Sequence, residues 1–589
     1  MSYLQPGDPA KRLRLFILAI VVIALLFIGR LVQVQIIQAD SINKQSLSSR
    51  SVTHTIPAIR GQILDATGRV LARTVLKYDV NVAPINVKPQ TKKVNGVLVE
   101  VPVEQLVAQM AGILGLTPQE VSAKIAGTGQ YANVAKGVDA NVYDQLKKLE
   151  IDWVYFDAHP SRTYPSGALA GSLLGFLSDG KPMGGIESLY NSCLAGVDGK
   201  ETYEKGEDGI KIPDSVVTTT KAVNGRDVHL TINADLQYFA QQVLTQKWAS
   251  LKADWATAVV IEVKTGRILV AAEAPTMDPN DPAASSEASR HARVFESSFE
   301  PGSVIKTITA ATLVETGKAT PATQVIAPYA WTVPGSNGYR VTDSHVHGND
   351  KLTLTGVLRD SSNTGIMKLG SAVDAKTRFS YLTKFGMGKK TSIKFPGEAS
   401  GFVLPFDQWD GVKKYVSMFG QGFSVTPLQS AMMYQAIGNK GVLLQPRLVE
   451  GCDDRSGNFQ ALPMQPGKRA VSESTARTTI DMLEKVVEQG GIGRHAAVAG
   501  YRVGGKTGTA QITDPNTGQY GRLHAISFIG MAPAENPEYV VAVTAYKSRT
   551  VSNSIGATPI FKAIMQQVLR TYRVAPSTTK SATIPTVWK

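Results

Sequence analysis

Residues 299–317 read FEPGSVIKTITAATLVETG. Pro301 and Gly302 break the preceding chain, and the apolar spacing that follows is helical until Gly317. Ser303 falls at the helix start, and Lys306 lies three residues on, on the same face. A serine nucleophile with a lysine base requires this spacing. The positive end of the helix favours a developing alkoxide, and its free N–H groups can bind an oxyanion. Lys306 must be neutral to accept a proton. Its ordinary value of ~10.4 has to fall by roughly 3 units, a cost of about 4 kcal/mol. Burial and a nearby second cation are the usual means.

Alone, Ser-x-x-Lys says little, because it recurs at Ser41–Lys44, Ser178–Lys181 and Ser577–Lys580. Ser-x-Asn begins at Ser41, Ser361 and Ser456, and Lys-Thr-Gly stands at both 264–266 and 506–508. The first Lys-Thr-Gly sits between two β-patterned runs, where Gly266 reads as a hairpin turn residue. Order and setting carry the information instead. Ser303-x-x-Lys306 opens a helix, Ser361-Ser362-Asn363 sits in a turn after LTGVLRD, and Lys506-Thr507-Gly508 follows Gly504-Gly505 at the start of a strand. All three fall in the region 226–573, where helical and strand patterns alternate. This ordered trio belongs to serine enzymes that acylate on β-lactam-like substrates.

The N-terminus bears on the compartment. Leu15–Gly29 carries no charge and follows Lys11, Arg12 and Arg14. Fifteen helical residues cover only ~22 Å, short of a ~30 Å hydrocarbon core. A signal peptide competes with an uncleaved anchor. A cut after Ala39 would place Ile37 where a small residue is wanted, whereas Leu31–Ile37 extends the apolar helix beyond Arg30. The anchor reading spans 15–38, with a cytoplasmic stub at 1–14 and the remaining chain outside the cytoplasm. No later stretch approaches 18 apolar residues, so a single pass is expected.

Between anchor and trio, Asp40–Thr55 is polar and reads as a stalk, and residues 59–73 read as two strands around a turn. The run 103–116 has helical spacing, and Thr117-Pro-Gln-Glu120 opens a further helix with a capping box. Residues 39–225 form a non-catalytic segment, and 574–589, rich in Ser, Thr and Pro, reads as a flexible basic tail. Cys193 and Cys452 exclude a disulfide-rich scaffold, and whether they pair stays open. Eight scattered histidines form no HExxH motif. The formal charge of +14 invites a nucleic-acid reading, but the stub contributes +2 and Lys562–Lys589 contributes +5. Together with an extracytoplasmic location, this argues for an envelope-facing tail and no nucleic-acid partner.

The flanking residues carry a resemblance along residues 10–570. RGQILDATGRVLA (60–72), Arg162-Thr-Tyr-Pro165, GGIESLYNSCLAGVDG (184–199), FEPGSVIK, LRDSSNTG, FPGEASG (395–401), GQGFSVTPLQ (420–429), GGKTGTAQ and SFIGMAPAENPE (527–538) are similar to the class B penicillin-binding proteins. These are monofunctional peptidoglycan D,D-transpeptidases. The resemblance implies a multidomain architecture: one transmembrane helix, an extended α+β pedestal, and an α/β transpeptidase domain like a serine β-lactamase, with an antiparallel sheet and helices. Ala66 departs from the family, which has Arg after the box aspartate, and puts a pedestal salt bridge in doubt.

By resemblance, Ser303 is the acylated nucleophile, Lys306 its base, Ser361 a proton relay, Asn363 a holder of Lys306 and substrate, and Lys506 the second cation. Thr507, Gly508 and Thr509 belong to the substrate-binding strand. The hydroxyls of Thr507 and Thr509 receive the substrate carboxylate, and the Ser303 and Thr509 N–H groups form the oxyanion hole. The implied partners are D-Ala-D-Ala stem peptides with an amine acceptor, β-lactams, and a SEDS-type glycosyltransferase among division-complex membrane proteins. No metal or organic cofactor is implied. A lone glutamate such as Glu398 is read as a solvated surface residue. A septal, FtsI-like role is favoured over an elongation role. A D,D-carboxypeptidase and a catalytically quiet scaffold are the other readings.

Overall fold

Helix Pro9–Val32 is continued by a π turn at Gln33–Ile37. The computed structural model describes residues 8–94, 97–204, 215–216, 218–514 and 517–589. Residues 1–7 of the expected stub, and 95–96, 205–214 and 217 of the expected pedestal segment, lie outside the described residues. Asp8 caps the first helix by accepting the Ala10 N–H at 3.0 Å. The apolar span Pro9–Ile37 has 29 residues, ~43 Å at ~1.5 Å each, which exceeds a bilayer core. The helix itself begins earlier than residue 15, since Lys11, Arg12 and Arg14 are good helix formers.

The polar stretch expected as a stalk is ordered: Ala39–Arg50 is helical and Ser51–Ile56 is a strand. That strand pairs antiparallel with Gly199–Glu204, which pairs in turn with Thr218–Thr220. This sheet and the N-terminal helices make one body, Met1–Ile59 with Gly196–Asn224. The second body is Arg60–Ala195 with Gly225–Lys589.

The second body crosses the 225 boundary expected from sequence texture. Ile63–Leu64 pairs in parallel with Val228–Leu230, which pairs antiparallel with Val449–Asp453. A disulfide joins Cys193 to Cys452 across the same seam. Three sequence boxes converge nearby on one buried carboxylate. Glu187 binds the Arg60 Nε at 2.6 Å and the Arg162 Nε at 2.7 Å, and Arg60 also donates to Asn191 Oδ1. On the surface, Arg69 pairs with Asp235 at 2.8 Å. Further out, strand Val70–Val82 pairs antiparallel with Val154–Thr163 and shares a core of Val80, Leu106, Met110 and Trp153 with helix Val103–Leu114. The capping box of Thr117 and Glu120 is formed.

The catalytic half begins with helix α1 (Ala234–Leu251) and the hairpin β1 (Trp255–Glu262)–β2 (Ile268–Ala274), with Gly266 at its turn. Helix α2 (Lys306–Glu315) follows, then the hairpin β3 (Gln324–Pro328)–β4 (Asn349–Thr353), and helices α3 (Leu354–Asp360) and α4 (Asn363–Gly370). Helices α5 (Pro427–Gly438) and α6 (Glu473–Val487) precede strands β5 (Gly504–Thr513), β6 (Tyr520–Ala532) and β7 (Tyr539–Ser548), and α7 (Thr558–Thr571) closes the fold. The five-stranded sheet runs β2-β1-β7-β6-β5, antiparallel throughout.

Both sheet faces are covered, which explains the nearly continuous apolar runs in β1 and β7. Ala256, Ala258 and Val260 face α1 and α7, while Trp255, Val259 and Ile261 face the core shared with α2, α5 and α6. Strand β5 lies at the sheet edge.

Residues 574–589 are not loose. Val574 is buried, the Ser577 N–H donates to Gly500 O at 2.9 Å, Arg502 donates to Thr579 Oγ1, and Val587 bridges Leu352 antiparallel. Composition suggested a tail, but the unpaired edge of β4 gives its backbone groups partners. Glu398, expected on the surface, is also buried and accepts the Thr391 N–H at 2.8 Å.

Candidate active site

Ser303 sits in a 3₁₀ turn, Gly302–Ile305, one step ahead of α2, which starts at Lys306. Gly302 has φ +58°, and a Cβ there would stand 2.7 Å from the Thr509 carbonyl oxygen of β5. A residue without a side chain therefore lets the turn press against the edge strand. Gly508 does the same from the strand side, since a Cβ would meet Val304 at 2.9 Å and the Pro301 carbonyl at 3.1 Å. Ser303 is half-buried at this junction, and Thr509 is exposed.

Lys306 is fully buried. Its Nζ donates to the Ser361 carbonyl at 2.5 Å, to Asn363 Oδ1 at 2.8 Å and to Ser361 Oγ at 3.3 Å. Burial pushes Lys306 down to about 7, against the pull of the Asp343 carboxylate. Lys506 is likewise fully buried, with Nζ 2.9 Å from Thr507 Oγ1. Burial drives it well below the ordinary lysine range, the charge of Lys306 lowers it further, and Asp360 opposes both. Two buried amines that repel each other disfavour the doubly charged state. Desolvation is what frees the Lys306 lone pair, and within the pair the charge of Lys306 acts on Lys506.

Ser361 caps the C-terminus of α3 in the left-handed region, φ +59°. This costs a non-glycine residue of order 1 kcal/mol or more and is characteristic of functional sites. Ser362 caps the N-terminus of α4 by accepting the Gly365 N–H at 2.9 Å. Asn363 Nδ2 donates to Thr342 O at 2.9 Å, so its amide oxygen faces Lys306. Thr507 is buried and accepts from Lys506, which leaves its own O–H free to donate.

The structure thus brings Lys306, Ser361 and Asn363 together, and sets the Ser303 turn against Gly508 and Thr509 on β5. Two residues that sequence reasoning missed complete the surroundings. Asp343, buried, accepts from Ser362 Oγ at 2.6 Å and from the N–H groups of Asn363 and Thr364 at 2.5 and 3.0 Å. Its only sequence signal is an acid in the His-rich loop TDSHVHG. Glu300, beside Pro301, accepts the Gly422 N–H at 2.8 Å and the Tyr520 hydroxyl at 3.2 Å, and burial raises its pKa.

Residues 256–566 match the penicillin binding protein transpeptidase domain, and residues 55–230 match the penicillin-binding protein dimerisation domain. Penicillin-binding protein PbpB of Mycolicibacterium smegmatis is 34% identical, over 90% of this chain and 85% of that protein. Peptidoglycan D,D-transpeptidase FtsI of Escherichia coli is 31% identical, over 88% of this chain and 84% of its own length. A crystal structure of penicillin binding protein 3 from Mycobacterium tuberculosis, complexed with ampicillin, aligns with a TM-score of 0.70 at 28% identity, covering 91% of this chain and all of that one. Two domain models together spanning most of the chain, and relatives aligned over nearly all of it, give the same answer as the ordered serine, lysine and Lys-Thr-Gly elements: the chain belongs to the class B penicillin-binding proteins.

Proposed function

We propose that this peptidoglycan D,D-transpeptidase crosslinks stem peptides through an acyl-enzyme on Ser303 during septal wall synthesis. The observation that carries the chemistry is the buried Lys306 amine, brought near neutrality and aimed at Ser361 and Asn363. Ser303 Oγ attacks the carbonyl of the penultimate D-alanine, and its proton passes to Lys306. The resulting oxyanion is held by the N–H groups of Ser303 and Thr509. The tetrahedral intermediate collapses with cleavage of the C–N bond. The departing D-alanine amine takes up the proton, relayed from Lys306 through Ser361. Lys506 and Thr507 polarise this relay, and Thr507 and Thr509 receive the terminal carboxylate. The substrate backbone adds to the edge strand β5 at Gly508 and its neighbours. An amine from a second stem peptide then attacks the ester and gives up a proton to the same base; the ester C–O bond breaks, Ser303 Oγ takes that proton back, and the crosslink forms.

β-Lactams resemble the terminal dipeptide and acylate the same serine. The apolar helix Pro9–Ile37 anchors the chain in the cytoplasmic membrane with its basic start inside. A SEDS-type glycosyltransferase supplies the glycan strand, and the division role is supported by the likeness to FtsI.

Labelling membranes with a fluorescent penicillin, wild type beside Ser303→Ala, tests the chemistry. Labelling of wild type alone is expected, and equal labelling of the variant defeats the mechanism. Depletion is expected to give filaments, whereas rounded cells point to elongation. Free D-alanine released without dimer formation points to a carboxypeptidase.

A further inference from the structure

Residues 585–589 run antiparallel alongside β4, joined to it by an isolated bridge. The Thr353 N–H donates to the Thr586 carbonyl at 3.1 Å, the Trp588 N–H donates to Lys351 O at 3.2 Å, and Val587 bridges Leu352. Trp588 anchors the end. Its indole N–H donates to Leu352 O at 3.1 Å, and the Lys351 ammonium lies 5.0 Å over its ring.

This segment reaches both ends of α3. Thr353 is the N-cap of α3, and its hydroxyl donates to Pro585 O at 2.6 Å while accepting the Gly356 N–H at 3.1 Å. Arg359, in the last turn, donates to Thr586 Oγ1 at 2.5 Å and grips Asp360 with its other nitrogens. Gly356 faces the Thr586 carbonyl so closely that any Cβ would collide with it. Helix α3 has seven residues, too few to hold itself, and its C-cap is Ser361.

We propose that residues 585–589 form a positioning strap for the transpeptidase centre, fixing both ends of α3 so that Ser361 is presented to Lys306. The proposal rests on the assigned role of Ser361. The strap touches no reacting atom, so it acts on the covalent step and leaves the initial encounter with substrate unchanged.

The test uses the full chain in detergent, with benzylpenicillin as the probe. The variants are a truncation lacking 585–589, Trp588→Ala, Trp588→Phe, Gly356→Ala, and Gly356→Ala within the truncated chain. The acylation rate constant and the non-covalent Kd are separated by stopped flow, with Tm recorded alongside. Slight misplacement of a reacting group slows chemistry between about 10- and 100-fold. A loss of that size in the rate constant, at unchanged Kd, is expected for the truncation, Trp588→Ala and Gly356→Ala. Trp588→Phe, which keeps the ring over Lys351, is expected to retain most of the rate. Gly356→Ala is expected to cost nothing further once the strap is gone. An unchanged rate constant in the truncated chain, additive losses in the double variant, or a loss tracking only the unfolded fraction overturns the strap. Acylation of Ser303→Ala would instead defeat the reading of the site on which the strap rests.

Discussion

Asp343 Oδ1 accepts the backbone N–H of Asn363 at 2.5 Å, and the side chain of the same asparagine accepts from Lys306 at 2.8 Å. A carboxylate twenty residues upstream in sequence thus fixes the turn that fixes the base. Asp343 also sits at the N-terminus of α4, where the exposed N–H groups favour negative charge. Its second oxygen takes the Ser362 hydroxyl at 2.6 Å and the His347 ring at 3.1 Å.

Replacing that carboxylate should move the pH profile of acylation. Asp343 holds the Lys306 ammonium up against burial, so its charge favours the protonated base. Asp343→Asn removes the charge, and the base becomes neutral at lower pH. The acid limb of the profile, near 7 in wild type, is expected to shift to lower pH while the plateau rate falls because the Ser362-Asn363 turn loosens. Acylation rates measured from pH 5 to 9 decide it. A limb that stays in place or moves upward refutes the assignment.

Lys306 also ties stability to pH. In the folded chain it titrates near 7, and in the unfolded chain near 10.4, so the unfolded state binds more protons between these values. Stability from this group therefore rises with pH across the window from 7 to about 10. Lys306→Met removes the dependence. The variant is expected to be inert toward penicillin yet more stable than wild type, by about 4 kcal/mol at or below pH 7. The gap should close as pH approaches 10, and urea unfolding at pH 6, 8 and 10 reads it. A gap that widens with pH would be the wrong sign.

The reactive trio was legible in the sequence because its chemistry is local. Ser303 and Lys306 share one turn, Ser361 and Asn363 flank one cap, and Lys506 to Thr509 lie along one strand. Asp343 was not legible, since it reaches Asn363 through a loop that two hairpins position. Glu187 stood inside a recognised box, yet nothing in the spacing said that Arg60 and Arg162 would meet on it. Residues 574–589 misled because Ser, Thr and Pro report weak intrinsic preference, whereas the segment is held by Gly500 and Arg502 near its start and by the free edge of β4 near residues 585–588. Pairing of Cys193 with Cys452, 259 residues apart, depends on a strand register that no local pattern reveals.

That disulfide closes a long loop, and the entropy withheld from the unfolded chain grows with loop length. Cys452→Ser is expected to lower stability by up to about 5 kcal/mol. Penicillin acylation of the folded fraction should persist, because the bond lies beside Val228–Leu230 and away from Ser303. Faster migration of the unreduced wild type in denaturing gels, absent from the variant, reports the bond directly. Two titratable thiols in unreduced wild type would contradict it.

Glu187 tests whether three separate stretches of the Arg60–Ala195 segment stand together through one carboxylate. Both of its oxygens are engaged, by Arg60 and Arg162, and it is wholly buried. Removing one partner of such a network strands buried charge, at a cost of about 3–5 kcal/mol. Glu187→Ala leaves two guanidinium groups facing each other and is expected to pay that in full. Glu187→Gln keeps an acceptor oxygen for one arginine and is expected to cost less. Arg162→Lys should resemble the alanine variant more than its charge suggests, because Arg162 uses separate nitrogens for Glu187 and for the Gly61 carbonyl at 2.7 Å. Thermal unfolding of the three variants ranks them, and a Glu187→Ala chain as stable as wild type would show that the node does not hold these stretches together.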